Sequence, residues 1–169
     1  MFLKNQYVFK LNLKDDLFYP AAYSGAFAVA NLLSNDVKSP NSSFGYHVAI
    51  GAPGSSIYST TNNNQYGYKS GTSMATPIVS SAAALVLAKN PSLTGFQVGE
   101  ILRLSADDNY TSISDNKNYI NQIGSGRLNV FKALQANQSP AIRYQKISVE
   151  DASIGALAAG DTVNFYFDL

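Results

Sequence analysis

The stretch Ser70-Gly71-Thr72-Ser73-Met74-Ala75-Thr76-Pro77, running directly into an apolar segment, constrains this chain more than any other. From Thr72 the periodicity is helical. Ile78, Val79, Ala82, Ala83, Leu85, Val86 and Leu87 make the helix apolar over most of its surface. Such a helix predicts burial, and burial requires further layers around it. Asn90-Pro91 ends it.

Strand patterns upstream offer one such layer. Ala26–Ala30 is a short apolar run that predicts a buried strand. His47–Ile50 predicts another, stopped by Gly51-Ala52-Pro53-Gly54, and Ser56–Thr60 predicts a third. Asn31–Phe44 reads as a loop, and Asn62-Asn63-Asn64 as a polar turn. Residues 7–13 alternate with Tyr7, Phe9, Leu11 and Leu13 on one face, a strand pattern. Downstream, Thr94-x-x-Gln97 is a capping box that opens a helix with Val98, Ile101 and Leu102 on one side. Gly124-Ser125-Gly126 predicts a tight turn before a short helix near Asn129–Leu134. After Pro140 the alternation of Ile147/Val149 and Val163/Phe165/Phe167 predicts two strands, too few to bury a core. The expected organisation is an atypical strand in 1–16, a main domain over 17–138, and the beginning of a truncated β-domain in 139–169.

Composition removes several chemistries. The chain of 169 residues has no Cys and one His, His47. Disulfides, thiolate zinc sites and a cysteine nucleophile are therefore excluded, as is a multi-His metal centre. The net charge of +1 gives no electrostatic footprint for nucleic acid or an anionic membrane. No uninterrupted apolar run reaches membrane-span length, and Met1-Phe2-Leu3-Lys4-Asn5 lacks the pattern of a signal peptide. The low charged fraction, 14%, with abundant Asn, Ser, Tyr and Gly, suits an exported bacterial protein.

Ser73 is the residue with the most chemical promise. Thr72 reads as an N-cap, placing Ser73 in the first helical turn, where unpaired N–H groups and the helix dipole favour a developing oxyanion. Gly71 permits close approach of a backbone or substrate. Pro77 removes the helical partner of the Ser73 carbonyl and predicts a kink. A serine at a helix start can equally be a cap and nothing more. Chain order narrows the catalytic options: no His follows Ser73, residues 48–72 hold no Asp or Glu, and Thr76 stands where a Ser-x-x-Lys dyad needs lysine. Only Asp36…His47…Ser73 survives, formally.

Gly71-Thr72-Ser73-Met74-Ala75-Thr76-Pro77 resembles the nucleophile motif of the subtilisin-like serine peptidases. Three further segments resemble the family in its order: Tyr19-Pro20-Ala21-Ala22-Tyr23 with Ala28-Val29-Ala30; Ser42-Ser43-Phe44-Gly45 with Gly51-Ala52-Pro53-Gly54; and Gly124-x-Gly126-Arg127-Leu128-Asn129 with Ala133-Leu134. The resemblance implies an α/β fold, the C-terminal portion of a three-layer α/β/α sandwich with a mostly parallel sheet. It implies serine-type endopeptidase chemistry. Ser73 would be the nucleophile and a backbone oxyanion donor, Thr72 its support, and Gly71 and Met74 the borders of the cleft, Met74 on the leaving-group side. A peptide or protein would be the substrate, in an extracellular or cell-envelope setting.

The departures are equally specific. The family's Asp and His motifs precede its Tyr-Pro-Ala segment, whereas the 18 residues before Tyr19 hold no His. His47 matches no catalytic position, and Asp36 matches no Asp motif. Asn12 lies near the family's oxyanion asparagine but lacks the adjoining Gly. A family cation site would use carbonyls of Ala21, Tyr23 and Ala26 with an Asp where Ala49 stands, so no metal or other cofactor is expected. The alternative reading is a truncated or degenerate relative acting as an interaction module. The expected partner of the catalytic form is the N-terminal part of a catalytic domain carrying the Asp and His motifs.

Overall fold

The computed structural model describes residues 19–23, 25–110 and 112–136 fully, and the backbone of strands 146–151 and 163–168. The expected strand over 7–13 and Asn12 lie outside the described residues. Contacts divide the chain into two units, Met1–Gln138 and Ser139–Leu169.

In the larger unit, β1 (Ala28–Leu32) and β2 (Val48–Pro53) pair in parallel. Ala28 faces Val48; past an irregularity, Val29 faces Ile50 and Leu32 faces Pro53. Every residue of β1 is buried, as expected for a parallel strand covered on both faces. β1 runs on through Asn31 and Leu32, where the polar composition suggests a loop. β2 continues through Gly51-Ala52-Pro53, where the sequence suggests a stop. Ladder bonds outweigh local preference at both places. Segment 126–128 extends the sheet beyond β2: the Gly51 N–H donates to the Gly126 carbonyl at 2.8 Å, and the Leu128 N–H to the Gly51 carbonyl at 2.8 Å. This close passage requires Gly124, whose φ is 85° and where a Cβ would lie 2.3 Å from the Ile50 nitrogen.

β3 (Ile57–Thr61) and β4 (Gln65–Lys69) form an antiparallel hairpin around Asn62–Asn64. Asn63 and Asn64 take left-handed φ values of 58° and 54°, which asparagine tolerates. β4 alternates only Tyr66 and Tyr68 with Gln65, Gly67 and Lys69, and the sequence reading missed this strand.

α1 (Thr72–Lys89) runs unbroken through Pro77. Ala75, Val79, Ala82, Ala83 and Val86 pack on Val29, Ile50 and Ala52 of the sheet. α2 (Gly95–Leu104) adds Val98 and Leu102, and α3 (Val130–Gln135) adds Ala133, to the same core. The other sheet face buries Ala30, Leu32 and Val48 with Ile123, flanked by Phe44, Tyr110 and Tyr119. The observed order is thus helices, sheet and a loop-built layer.

One expectation about α1 needs correction. Its burial is one-sided: Leu85 is 52% exposed, and Ala84 and Ala88 also face outward. By length and composition it is apolar enough to cross a membrane, although Ser80-Ser81 and Pro77 interrupt its apolar run. Its packed face on β1 and β2 is that of a core helix.

In the smaller unit, β5 (Lys146–Asp151) and β6 (Val163–Asp168) pair antiparallel, with Ile147 facing Phe167 and Val149 facing Phe165.

Candidate active site

Ser73 sits where three backbone segments converge. The N-cap is Gly71, not Thr72 as the sequence suggests, with φ 152° and no side-chain cap. Thr72 is already helical and buried. Its carbonyl accepts from the Thr76 hydroxyl at 3.0 Å, a side-chain bond one turn back along the helix. Ser73 is consequently the second helical residue. Helix geometry leaves its N–H, like that of Thr72, without a carbonyl partner inside the helix. The Ser73 side chain is exposed, and among the described residues its hydroxyl makes no hydrogen bond.

The placement is set by the end of β2. The Gly71 N–H donates to the Gly54 carbonyl at 2.7 Å, and the Gly54 N–H donates to the Leu32 carbonyl at 3.2 Å. Asn31, 1% exposed, donates its backbone N–H to Ser42 Oγ at 2.8 Å and its side-chain amide to Ser55 Oγ at 3.1 Å. The Ser56 N–H donates to Ser70 Oγ at 2.8 Å. These bonds link β1, the end of β2 and the approach to Ser73. Sequence reasoning missed Asn31, because a polar residue in a loop-like stretch carries no sign that it will be buried.

A groove of about 470 Å³ runs along α1 against the hairpin, lined in part by Ser73, Met74, Ile78, Leu85 and Lys69. Ser73 and Met74 line it together, whereas Gly71 and Thr72 do not. His47, at the start of β2, and Asp36, in the turn after β1, do not line this groove. Asp36 instead pairs with Arg127 at 3.2 Å. Arg127 also binds Asp107 at 2.7 Å, and Lys132 binds Asp107 at 2.6 Å. Hydrogen bonds from Lys132 and then Arg127 hold the Asp107 carboxyl far below the usual carboxylate range. This cluster fixes segment 126–132 and carries no nucleophile.

No group of three or more His, Asp or Glu able to hold a metal occurs among the described residues. The family-type cation site also fits poorly. The Tyr23 carbonyl accepts from the Ala26 N–H at 3.0 Å, and Ala49 is a buried methyl 5% exposed. A hard cation needs charged or carbonyl oxygen there.

Parallel sheet, covering helices and a serine exposed at a helix start define an α/β protein of the subtilisin-like class. The model of the subtilase family matches residues 5–126, and the chain belongs to that family. It is 41% identical over 117 residues to subtilisin DY of Bacillus licheniformis, covering 69% of this chain and 40% of that protein. It is 40% identical over 117 residues to thermitase of Thermoactinomyces vulgaris, covering 69% of this chain and 39% of that one. The chain thus spans about two fifths of the length of these relatives. Among solved structures it superposes on a protease of Pseudoalteromonas arctica with TM-score 0.61 and 25% identity, covering 69% of this chain and 37% of that one. On the prenylagaramide maturation protease PagA the TM-score is 0.61 and the identity 29%, covering 69% and 44%.

Proposed function

We propose that this protein carries the nucleophile-bearing part of a subtilisin-like serine endopeptidase of extracellular or cell-envelope location, with Ser73 as nucleophile. The single observation that supports this reading most is the exposed, unbonded Ser73 hydroxyl beside its own unpaired N–H at the start of α1. In the proposed reaction Ser73 Oγ attacks a peptide carbonyl carbon, and the Oγ proton passes to a general base. The oxyanion accepts from the Ser73 N–H, with Thr72 holding the turn. Collapse breaks the C–N bond, the amine takes the proton, and water then hydrolyses the Ser73 ester. Asn12 is a candidate for a second oxyanion donor.

The base and its carboxylate are proposed to come from a segment outside residues 1–169, since His47 and Asp36 are not gathered at Ser73. By themselves residues 1–169 are then inactive. Removing the histidine of a subtilisin triad lowers turnover on the order of 10⁶-fold.

The test has two arms. Residues 1–169 alone should show no Ser73-dependent labelling by a fluorophosphonate; labelling that Ser73→Ala abolishes would overturn the proposed inactivity. Joined behind a subtilase segment bearing the Asp and His motifs, the chain should hydrolyse a peptide substrate, and Ser73→Ala should abolish it. Hydrolysis that persists in Ser73→Ala, or none in the properly folded fusion, rules out Ser73 as nucleophile.

A further inference from the structure

We propose that Asn31, acting through Ser55, is a positioning residue for Ser73: its side chain sets the turn that holds the start of α1. This rests on the reading of Ser73 as nucleophile and adds to it the residue that aims the nucleophile.

Asn31 is chemically out of place in its strand. The rest of β1 is Ala28, Val29, Ala30 and Leu32, as burial on both faces requires. Asn31 is 1% exposed. A buried carboxamide costs stability unless its bonds are made, so an apolar residue would serve the core better. Side chains alternate along a strand, which puts Asn31 on the face of Val29, the face packed against α1. Both groups of its carboxamide engage one residue. Asn31 Nδ2 donates to Ser55 Oγ at 3.1 Å, and Ser55 Oγ donates to Asn31 Oδ1 at 3.3 Å.

Both neighbours of Ser55 hold the approach to Ser73. The Gly54 carbonyl accepts from the Gly71 N–H at 2.7 Å, and the Ser56 N–H donates to Ser70 Oγ at 2.8 Å. Ser56 takes a left-handed φ of 56°, unfavourable for serine, so this turn depends on bonds from outside it. Packing joins the same partners. A Cβ on Gly54 would meet Asn31 Oδ1 and the Gly71 carbonyl oxygen at 2.6 Å each, so the carboxamide and the N-cap of α1 close on one glycine. The place of Gly71 sets the direction of the first helical N–H groups, that of Ser73 included. A shift of about 1 Å at a reacting group can cost on the order of 100-fold in rate. Losing one side-chain clasp disturbs the site less, and a loss of about tenfold is expected.

Two measurements test this. In the full 169-residue chain, amide hydrogen exchange is compared at Gly71, whose N–H bonds to Gly54, and at Gly51, whose N–H bonds to Gly126. Asn31→Ala should speed exchange at Gly71 about tenfold more than at Gly51. Ser55 is half-buried, so Ser55→Ala keeps the test open if Asn31→Ala does not fold, and it should act in the same way. Ser55→Thr keeps the hydroxyl and should recover most of the protection. Equal acceleration at both amides, or none at Gly71, overturns the proposal.

In the fusion with a subtilase segment bearing the Asp and His motifs, Asn31→Ala and Ser55→Ala should each lower kcat about tenfold and leave KM within about twofold. The double variant should fall no further than the worse single one, because the two side chains act as one clasp. A loss confined to KM, an unchanged kcat, or losses that multiply overturns the role. The two readings separate cleanly. Hydrolysis with kcat untouched by either variant removes the role of Asn31 alone. Selective exchange at Gly71 in a chain whose folded fusion hydrolyses nothing removes the role of Ser73 alone.

Discussion

The Gly71 N–H donates to the Gly54 carbonyl at 2.7 Å, so the end of β2 holds the start of the helix that presents Ser73. Gly54 is hemmed in from three sides. A Cβ there would lie 2.6 Å from the Gly71 carbonyl oxygen, 2.6 Å from Asn31 Oδ1 and 2.9 Å from the Ala75 Cβ. The first is backbone, the third cannot rotate away, and Asn31 Oδ1 is buried and accepts from Ser55 Oγ at 3.3 Å. Gly54→Ala should cost about 1–3 kcal/mol by overpacking and shift the first turn of α1. Urea melts of both proteins check the first part. A melt unchanged within about 0.5 kcal/mol would contradict the crowding.

Much of this arrangement was legible in the sequence, and the reasons differ by residue. The apolar runs around Val29 and Ile50 announced buried strands because both faces of a parallel strand are covered. Ser73 was legible because Gly, Ser and Pro stand at fixed places before an apolar helix. Thr72 misled: a threonine before a helix reads as a cap, yet Gly71 holds that position at φ 152°. β4 was hidden because its alternation rests on two exposed tyrosines, Tyr66 and Tyr68, around Gly67, with no aliphatic residue to mark a core face. The Asp36–Arg127–Asp107 cluster was hidden because it joins residues distant in sequence, and no local pattern encodes such pairing.

The capping box at α2 is closed in both directions. Thr94 Oγ1 accepts from the Gln97 N–H at 3.3 Å, and the Thr94 N–H donates to Gln97 Oε1 at 2.8 Å. α2 contributes Val98 and Leu102 to the main core, so fraying at its start is transmitted inward. Thr94→Ala should lower stability by about 1 kcal/mol, and Thr94→Ser should recover most of it. Denaturant midpoints of the two variants separate a lost cap from lost packing, because serine restores only the hydroxyl.

Tyr58 forms a cross-strand aromatic cluster with Tyr66 and Tyr68 on one face of the hairpin. Its ring lies 4.9 Å from that of Tyr68, directly opposite, and 5.9 Å from that of Tyr66. The hairpin forms no ladder with β1 or β2, so these contacts carry much of its cohesion. Tyr58→Ala should destabilise by about 0.5–1 kcal/mol, while Tyr58→Phe should be close to neutral. A double-mutant cycle of Tyr58→Ala with Tyr68→Ala should return a coupling of about 0.5 kcal/mol or more. Additivity of the two would mean that the rings stand near each other without interacting.

Asp107 gives stability an acid limit. Its carboxylate accepts from Lys132 at 2.6 Å, from Arg127 at 2.7 Å and from the Asn129 amide at 2.9 Å. These donors favour the charged form, so the folded pKa lies far below the unfolded value of about 4. The sign follows from linkage: above pH ~4 both states are ionised and the full contribution is present. As pH falls below that, the unfolded chain binds the proton first, and the contribution is progressively lost. Lys132 is 59% exposed, so screening limits the cluster to about 1–2 kcal/mol at neutral pH. Asp107→Asn should therefore melt earlier than the parent at pH 7 and approach it near pH 2. Lys132→Ala should show part of the same loss at pH 7, because it removes the first of the donors. Urea melts across that range decide the matter: a gap between Asp107→Asn and the parent that stays constant with pH would mean Asp107 acts through packing alone.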